Sequence, residues 1–334
     1  MPDALQETQP QETHDTPEGR NRLFVVYNPN ALDDFTEARQ AVAEACERHG
    51  WDDPTWIETT PEDTGTKQAR EAVEAGASVV CCVGGDGTVR AVATALVGTQ
   101  VPLGLLPAGT GNLLARNLGL PVDSLEKAME AVLAGRDRRI DVGLIRAGQT
   151  FVDLASGDAP ADDEDVFLVM AGFGLDGEIM AGANENIKKV VGWPAYVLSA
   201  AKTVTGRGFS VTVETVDPEP GGSGRIRRHA RTVIVGNCGT LQGGVELMPE
   251  ALLDDGLLDG VVLAPKGVFG WLSVAADVAS RHRRGHRRVD RLRSPGIKLN
   301  AQRPVEAEID GDPIGERCSL AVRILPASLG VRVT

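Results

Sequence analysis

The stretch VVCCVGGDGTVRAV, residues 79–92, decides how this chain is read. Five small apolar residues lead into a turn that crowds Gly84, Gly85 and Gly87 around Asp86, and helical spacing follows. A short apolar run that ends in glycine and opens a helix is how a buried parallel strand passes into its crossover. The glycines can take backbone angles closed to other residues and let N–H groups approach a phosphate. Thr88 would then open a helix whose N-terminus favours an anion. A plain tight turn fits the same residues. Asp86 suits a phosphate-binding turn only if it faces a cation or orients the loop, and a magnesium ion bridging phosphate oxygens would meet the first condition.

Working outward, strand and helix alternate. LFVVY (23–27) reads as a strand, and 35–49 as a helix with Ala38, Val42, Ala45 and Cys46 on one side. TWIETT (55–60) is a second strand, followed by a helix over 66–75. The opening stretch supplies the third strand and a helix over 88–96. PLGLLP (102–107) is the fourth strand, and it runs into a second glycine turn, PAGTGN (107–112). A helix over 124–134 follows, with Asp123 and Glu126 spaced as a capping box. Alternation of this kind implies a parallel sheet covered on both faces. In such a sheet ligands bind beyond the carboxyl ends of the strands, where both glycine turns fall.

After Asp141 the pattern becomes short β-type runs separated by Gly, Pro and Asp: DVGLIRA, TFVDLA, VFLVMAGF, FSVTVETV, RTVIVGN, LDGVVLA, GIKLN, VEAEID and LAVRIL. Several alternate apolar and polar residues, as half-buried antiparallel strands do. Two helices, 194–205 and 268–281, interrupt them. The fold class is therefore α/β plus all-β. The expected division is a disordered lead-in over 1–20, a doubly wound α/β domain over 21–141, an antiparallel β-rich domain over 142–320, and a 321–334 tail placed to return to the first domain.

Composition removes several classes. The 334 residues carry a formal net charge of -13 and only 4% aromatics, which argues against nucleic acid as a partner. Five cysteines, none in a C-x-x-C pair, point to neither zinc nor a disulfide framework but to a reducing cytoplasm. Residues 1–20 have no apolar core of a signal peptide, and no uninterrupted apolar run is long enough to span a bilayer. No Walker A loop occurs, and neither glycine turn matches G-x-G-x-x-G.

The two glycine turns, VVCCVGGDGTVRAV and LLPAGTGNLLARNLGL, together with FVVYNPN upstream, resemble the diacylglycerol kinase catalytic family, to which the sphingosine and ceramide kinases also belong. GGDGT by itself is shared with NAD kinases and phosphofructokinases. VMAGFGLDGEI, KVVGWPAYVLSA, NCGTLQGGVELMPEALLDDGLLDGVVL and AEIDGD follow in the family's order, so the resemblance runs from Leu23 almost to the end. It implies an ATP- and magnesium-dependent kinase that phosphorylates a hydroxyl of a diacylglycerol-like lipid, with its active site in the cleft between the domains. Carried onto this chain, it places ATP contacts at Asn28 and Pro29, at Thr59 or Thr60, at Gly84, Gly85, Asp86, Gly87, Thr88, Val89 and Arg90, and at Gly109, Thr110, Asn112 and Asp312. It makes Asp310 the general base, although Asp-Gly is also a hairpin signal. It places a structural magnesium at Asp255 with the carbonyls of Leu252 and Leu257, and allows Asp141 to link metal-bound water to Asp86.

Three departures stand out. Leu113 replaces an aspartate, NPNALDD lacks a Ser-Gly, and Asp312 replaces a glutamate. An NAD kinase-like enzyme and a non-catalytic lipid or nucleotide sensor are the alternatives. Seven arginines, Arg281, Arg283, Arg284, Arg287, Arg288, Arg291 and Arg293, form a basic cluster suited to an anionic membrane surface. Val268, Phe269, Trp271, Leu272, Val274 and Ala275 before it would form an interfacial apolar face; a core helix with a solvated loop fits the same residues. The expected protein is cytoplasmic and docks peripherally at the inner membrane face, and a homodimer is compatible with the sequence.

Overall fold

The structure, a computed structural model, describes residues 21–31, 34–109, 111–174, 208–216, 223–241, 245–265, 270, 274 and 289–334. Strands β1 (Leu23–Tyr27), β2 (Thr55–Glu58), β3 (Val79–Gly84) and β4 (Leu103–Pro107) are parallel, in the order β2-β1-β3-β4. Helices α1 (Phe35–Arg48), α2 (Thr66–Glu74), α3 (Asp86–Leu96), α4 (Leu113–Asn117) and α5 (Leu125–Ala134) cover them. Alternate strand residues face opposite layers. Leu23, Val25, Val79 and Cys81 pack with Val42 and Cys46 of α1 and Met129 and Val132 of α5. Phe24, Val26, Val80 and Cys82 pack with Ala69, Val92 and Leu96 of α2 and α3. Burial on both faces is why these strands read as unbroken apolar runs.

Helix α1 begins where Asp34 accepts a hydrogen bond from Glu37 N at 2.9 Å. At α5 the structure departs from the expected box: Ser124, not Asp123, is the cap, accepting from Lys127 N at 3.3 Å. Helix α3 starts at Asp86, two residues earlier than the spacing implied. None of Gly84, Gly85 and Gly87 has a positive φ, so the first glycine turn uses closeness of approach and not unusual backbone angles.

The second half comprises β5 (Arg136–Gly148), β6 (Asp165–Phe167), β7 (Met170–Phe173), β8 (Phe209–Val216), β9 (Ser223–Ala230), β10 (Thr232–Gly236), β11 (Thr240–Leu241), β12 (Val245–Glu246), β13 (Leu258–Leu263), β14 (Val289–Ser294), β15 (Gly296–Ile309) and β16 (Asp312–Val333). It is antiparallel, and its interior is filled by residues such as Ile145, Phe167, Phe173, Val211, Leu299 and Val322. Residues 150–155 form no strand, contrary to expectation. GIKLN and VEAEID belong to the single strand β15, with an irregularity between Asn300 and Val305.

One sheet runs through both halves in the order β14-β13-β10-β7-β15-β16-β4-β3-β1-β2. The joining strand is β16, 22 residues long. Its Gly-to-Leu portion over 315–325 lies against β15 and β5, and its end pairs Val331 with Leu103 of β4. Between them Ala327 takes φ 46, and the β5–β16 register shifts between Leu325 and Leu329. The buried Asp141 sits at this bend and accepts from Ala327 N at 2.7 Å. The expected helices 194–205 and 268–281 lie outside the described residues, apart from Gly270 and Val274. Val274 is buried.

Candidate active site

Because β1 to β4 are parallel, their four following turns share one edge of the sheet. The chain leaves β1 for β2 on one side and reaches β3 on the other, so the turns after β1 and β3 flank a topological switch point. After β1, Asn28 N donates to Val83 O at 2.9 Å, and Asn28 Oδ1 accepts from Asn30 N at 2.9 Å. Pro29 is exposed beside it. After β2, Thr59 is buried, while the exposed Thr60 accepts from Asp63 N at 3.1 Å. The structure thus brings Asn28, Pro29, Thr59, Thr60 and both glycine turns to one edge; Thr110 lies outside the described residues.

The two glycine turns touch. A Cβ on Gly109 would meet Gly85 Cα at 2.9 Å, and one on Gly84 would meet Thr88 Cβ at 2.6 Å. A Cβ on Gly111 would collide with Asp86 Oδ2. Gly85 alone faces open space within 4 Å, and it is the N-cap of α3. The Asn112 side chain closes the second turn, donating from Nδ2 to Gly109 O at 2.7 Å and accepting from Gly109 N at 3.3 Å. Its φ of 48 is a left-handed angle that Asn tolerates.

Asp86 has a partner that the sequence did not disclose. Its Oδ1 accepts from Leu113 N at 2.7 Å, so Asp86 caps α4, whose own Asn112 makes no side-chain cap. Burial pushes the Asp86 carboxyl up, the N–H groups of Leu113 and Asn112 pull it down, and nearby Asp312 pushes it up again; the net shift is upward.

On the opposite side, a two-residue turn joins β15 to β16, with Ile309 paired to Asp312. Asp310 and Gly311 have φ of 50 and 90. This is the Asp-Gly pattern of a hairpin turn with both central residues left-handed. The Asp310 carboxylate is buried and faces the chain before β7: Oδ2 accepts from Leu168 N at 2.9 Å, and Oδ1 from Val169 N at 2.9 Å and Met170 N at 3.0 Å. Burial raises its pKa more than the three N–H groups and Arg90 lower it.

Arg90 of α3 joins the two sides. It donates from Nη1 to Ile309 O and from Nη2 to Asp312 Oδ2, each at 2.6 Å. Asp312 Oδ2 also lies 3.3 Å from where a Gly87 Cβ would stand. Arg90, expected only as a nucleotide contact, thus ties the first glycine turn to the Asp310 hairpin. Thr88 and Val89 are buried in the first turns of α3. Long sequence separation hid these contacts; the one available signal was the recurrence of Asp-Gly in both halves.

The remaining expected site residues lie at the join between the two halves. Asp141 is not directed at Asp86: Oδ2 accepts from Gly256 N at 2.6 Å and Oδ1 from Ala327 N, so both oxygens stitch the 252–257 turn to the β16 bend. Asp255 Oδ1 accepts from Leu257 N at 3.0 Å, and its Oδ2 is paired with Arg293. A guanidinium therefore sits on one of the two Asp255 oxygens, in the turn that also carries the Leu252 and Leu257 carbonyls. Among the described residues no cluster of three His, Cys, Asp or Glu is arranged for a metal. Arg291 donates to Leu247 O and Arg293 pairs with Asp255, and the Arg293 side chain remains 39% exposed. Arg281, Arg283, Arg284, Arg287 and Arg288 lie outside the described residues.

Comparison with known proteins agrees with this geometry along nearly the whole chain. Residues 22–145 match the diacylglycerol kinase catalytic domain, and residues 169–333 match a YegS C-terminal NAD kinase beta sandwich-like domain. A protein of Pseudomonas syringae pv. tomato named "Probable lipid kinase YegS-like" is 30% identical over 322 residues, 94% of this chain and 93% of the relative. One of the same name from Pseudomonas fluorescens Pf-5 is 32% identical over 304 residues, covering 88% and 89%. A solved structure described as a diacylglycerol kinase from Bacillus anthracis str. Sterne superposes with a TM-score of 0.68 at 18% identity, covering 94% of this chain and 97% of the other. With both domains matched and two glycine turns facing an Asp-Gly hairpin, the chain belongs to the diacylglycerol kinase family.

Proposed function

We propose that this protein is an ATP-dependent lipid kinase that transfers the γ-phosphate to a hydroxyl of a diacylglycerol-like lipid. The observation that carries this reading is the Arg90 bridge, which ties the glycine turn at the start of α3 to the hairpin bearing Asp310; a Cβ on Gly85 would meet nothing within 4 Å. ATP would lie over the turns after β1 to β4, with Asn28, Pro29, Thr59 and Thr60 toward the nucleoside and Gly109 and Asn112 shaping the wall. Its phosphates would meet the N–H groups at Gly85 to Thr88 and the positive end of α3.

Asp310 would accept the proton of the lipid hydroxyl as its oxygen attacks the γ-phosphorus and ADP leaves. Oδ2 receives one N–H donor and Oδ1 two, which leaves Oδ2 the freer acceptor. A raised pKa makes this carboxylate a stronger base than an ordinary aspartate. Asp86 and Asp312 are close enough for Asp312 to raise the Asp86 pKa, and two adjacent carboxylates suit a magnesium ion carried in with ATP. That ion would neutralise phosphate charge. Arg90 holds Asp312 and the hairpin in register with α3.

A lipid acceptor requires contact with a bilayer. No helix of the described residues is long and apolar enough to cross one. Docking then falls to Arg281, Arg283, Arg284, Arg287 and Arg288, which would draw the protein to an anionic surface. Incubation of purified protein with labelled ATP, diacylglycerol-containing vesicles and, separately, NAD tests the reading. Label in phosphatidic acid is the expected result. Label in NAD, or ATP binding with no transfer to any lipid, would replace it with one of the two alternatives.

A further inference from the structure

The turn over 252–257 joins three parts of the molecule. Asp141 N donates to Leu253 O at 2.7 Å and Asp141 Oδ2 accepts from Gly256 N, which fixes the turn to β5 and, through Ala327, to the bend of β16. Arg138 of β5 binds Asp254 Oδ2 at 2.8 Å. The register of β13 and β14 sets Arg293 directly opposite Asp259, with Nε 3.9 Å from Asp259 Oδ2, and its Nη2 continues to Asp255 Oδ2. Asp259 Oδ2 is buried and accepts no hydrogen bond, so the long ion contact is its compensation. A cavity of about 210 Å³ borders this cluster, lined by Glu250, Asp259, Arg291 and Arg293 among others.

Two shielded carboxylates side by side need a cation. A divalent ion at Asp255 Oδ2 would compete with the Arg293 guanidinium for that oxygen and would sit against its positive charge. We propose that Arg293 is the resident cation of the Asp255–Asp259 cluster, standing where a divalent metal would otherwise bind, so that the bend between the two halves is fixed without metal. The guanidinium suits this place because it spans both carboxylates, whereas a compact metal ion would gather ligands around one point. This holds whichever lipid is phosphorylated, since both carboxylates are engaged at the turn and Arg293 and not at the glycine turns.

Thermal melting of the full-length protein without nucleotide, in EDTA and in magnesium chloride, tests it. The unaltered protein should melt at the same temperature in both. Arg293→Met should melt about 2–4 °C lower in EDTA, and magnesium should restore part of that loss. The restoration should vanish in Arg293→Met/Asp255→Asn. Arg293→Lys, which keeps the charge and loses the fork, should fall between. Stabilisation of the unaltered protein by magnesium that disappears in Asp255→Asn would overturn the proposal. So would an Arg293→Met protein that melts as the unaltered one does, or whose loss magnesium leaves unchanged.

Discussion

Two of the chain's Asp-Gly dipeptides lie on opposite sides of the proposed active site, and they do opposite things. Asp86-Gly87 opens a helix with ordinary backbone angles, and its carboxylate reaches outward to cap α4. Asp310-Gly311 makes a hairpin turn with both φ positive, and its carboxylate folds back onto three N–H groups of its own half. The difference lies in what surrounds them. After a parallel strand the chain must enter a crossover helix, whereas between two long antiparallel strands it must reverse in two residues. The same two residue types therefore become a fastener in one domain and a candidate base in the other.

That contrast can be broken experimentally, most forcefully at Asp310. Asp310→Asn should lower kcat by about 10²–10⁴ while ATP still binds and circular dichroism stays native. The raised pKa of Asp310 also sets a pH limb: a base must be deprotonated, so kcat/KM falls as pH drops through a value above the ordinary carboxylate range, and Asp310→Asn should lack that limb. Native activity in this variant would reduce Asp310-Gly311 to a turn.

Next in size is Gly111→Ala, where a Cβ would strike Asp86 Oδ2. Denaturant unfolding should show a loss of about 1–3 kcal/mol, as for other overpacked sites; no loss would mean that the two glycine turns are not interlocked. Gly311→Ala forces a side chain to φ 90 and should cost about 1–2 kcal/mol. Gly87→Ala gains about 0.5–1 kcal/mol of helix propensity against a Cβ that meets Asp312 Oδ2 at 3.3 Å, so it should cost less than Gly311→Ala. Equal costs would erase the distinction between the two Asp-Gly sites. The smallest effect on the fold is expected at Gly85→Ala, since nothing lies within 4 Å of its Cβ. Its melting curve should be unchanged while ATP affinity drops on the order of tenfold, about 1.4 kcal/mol; unchanged affinity would remove phosphate from that opening.

Much of the first half was legible because its signals are local. Ala38, Val42, Ala45 and Cys46 recur at helical spacing and are the residues that α1 buries. The four apolar runs became β1 to β4 because strands buried on both faces have no polar alternation to confuse them. The difference arose where two local signals competed: Asp123 and Ser124 both suit a cap, and Ser124, in extended backbone geometry, took the role. In the second half, GIKLN and VEAEID looked like two strands because Gln302, Arg303 and Pro304 interrupt a single one that ends at Ile309.

By itself, the sequence determined the alternation of strand and helix, the two glycine turns, the change to antiparallel strands after Asp141 and the family these imply. Each rests on periodicity or on neighbours within a few residues. Only the tertiary structure decided what the charged groups do. Asp86 meets Leu113, Arg90 meets Asp312, Asp141 meets Gly256 and Ala327, and Arg293 meets Asp255 across separations no local pattern encodes. A buried carboxylate takes whichever donors the fold delivers to it, because leaving it without them costs more than any local preference can return.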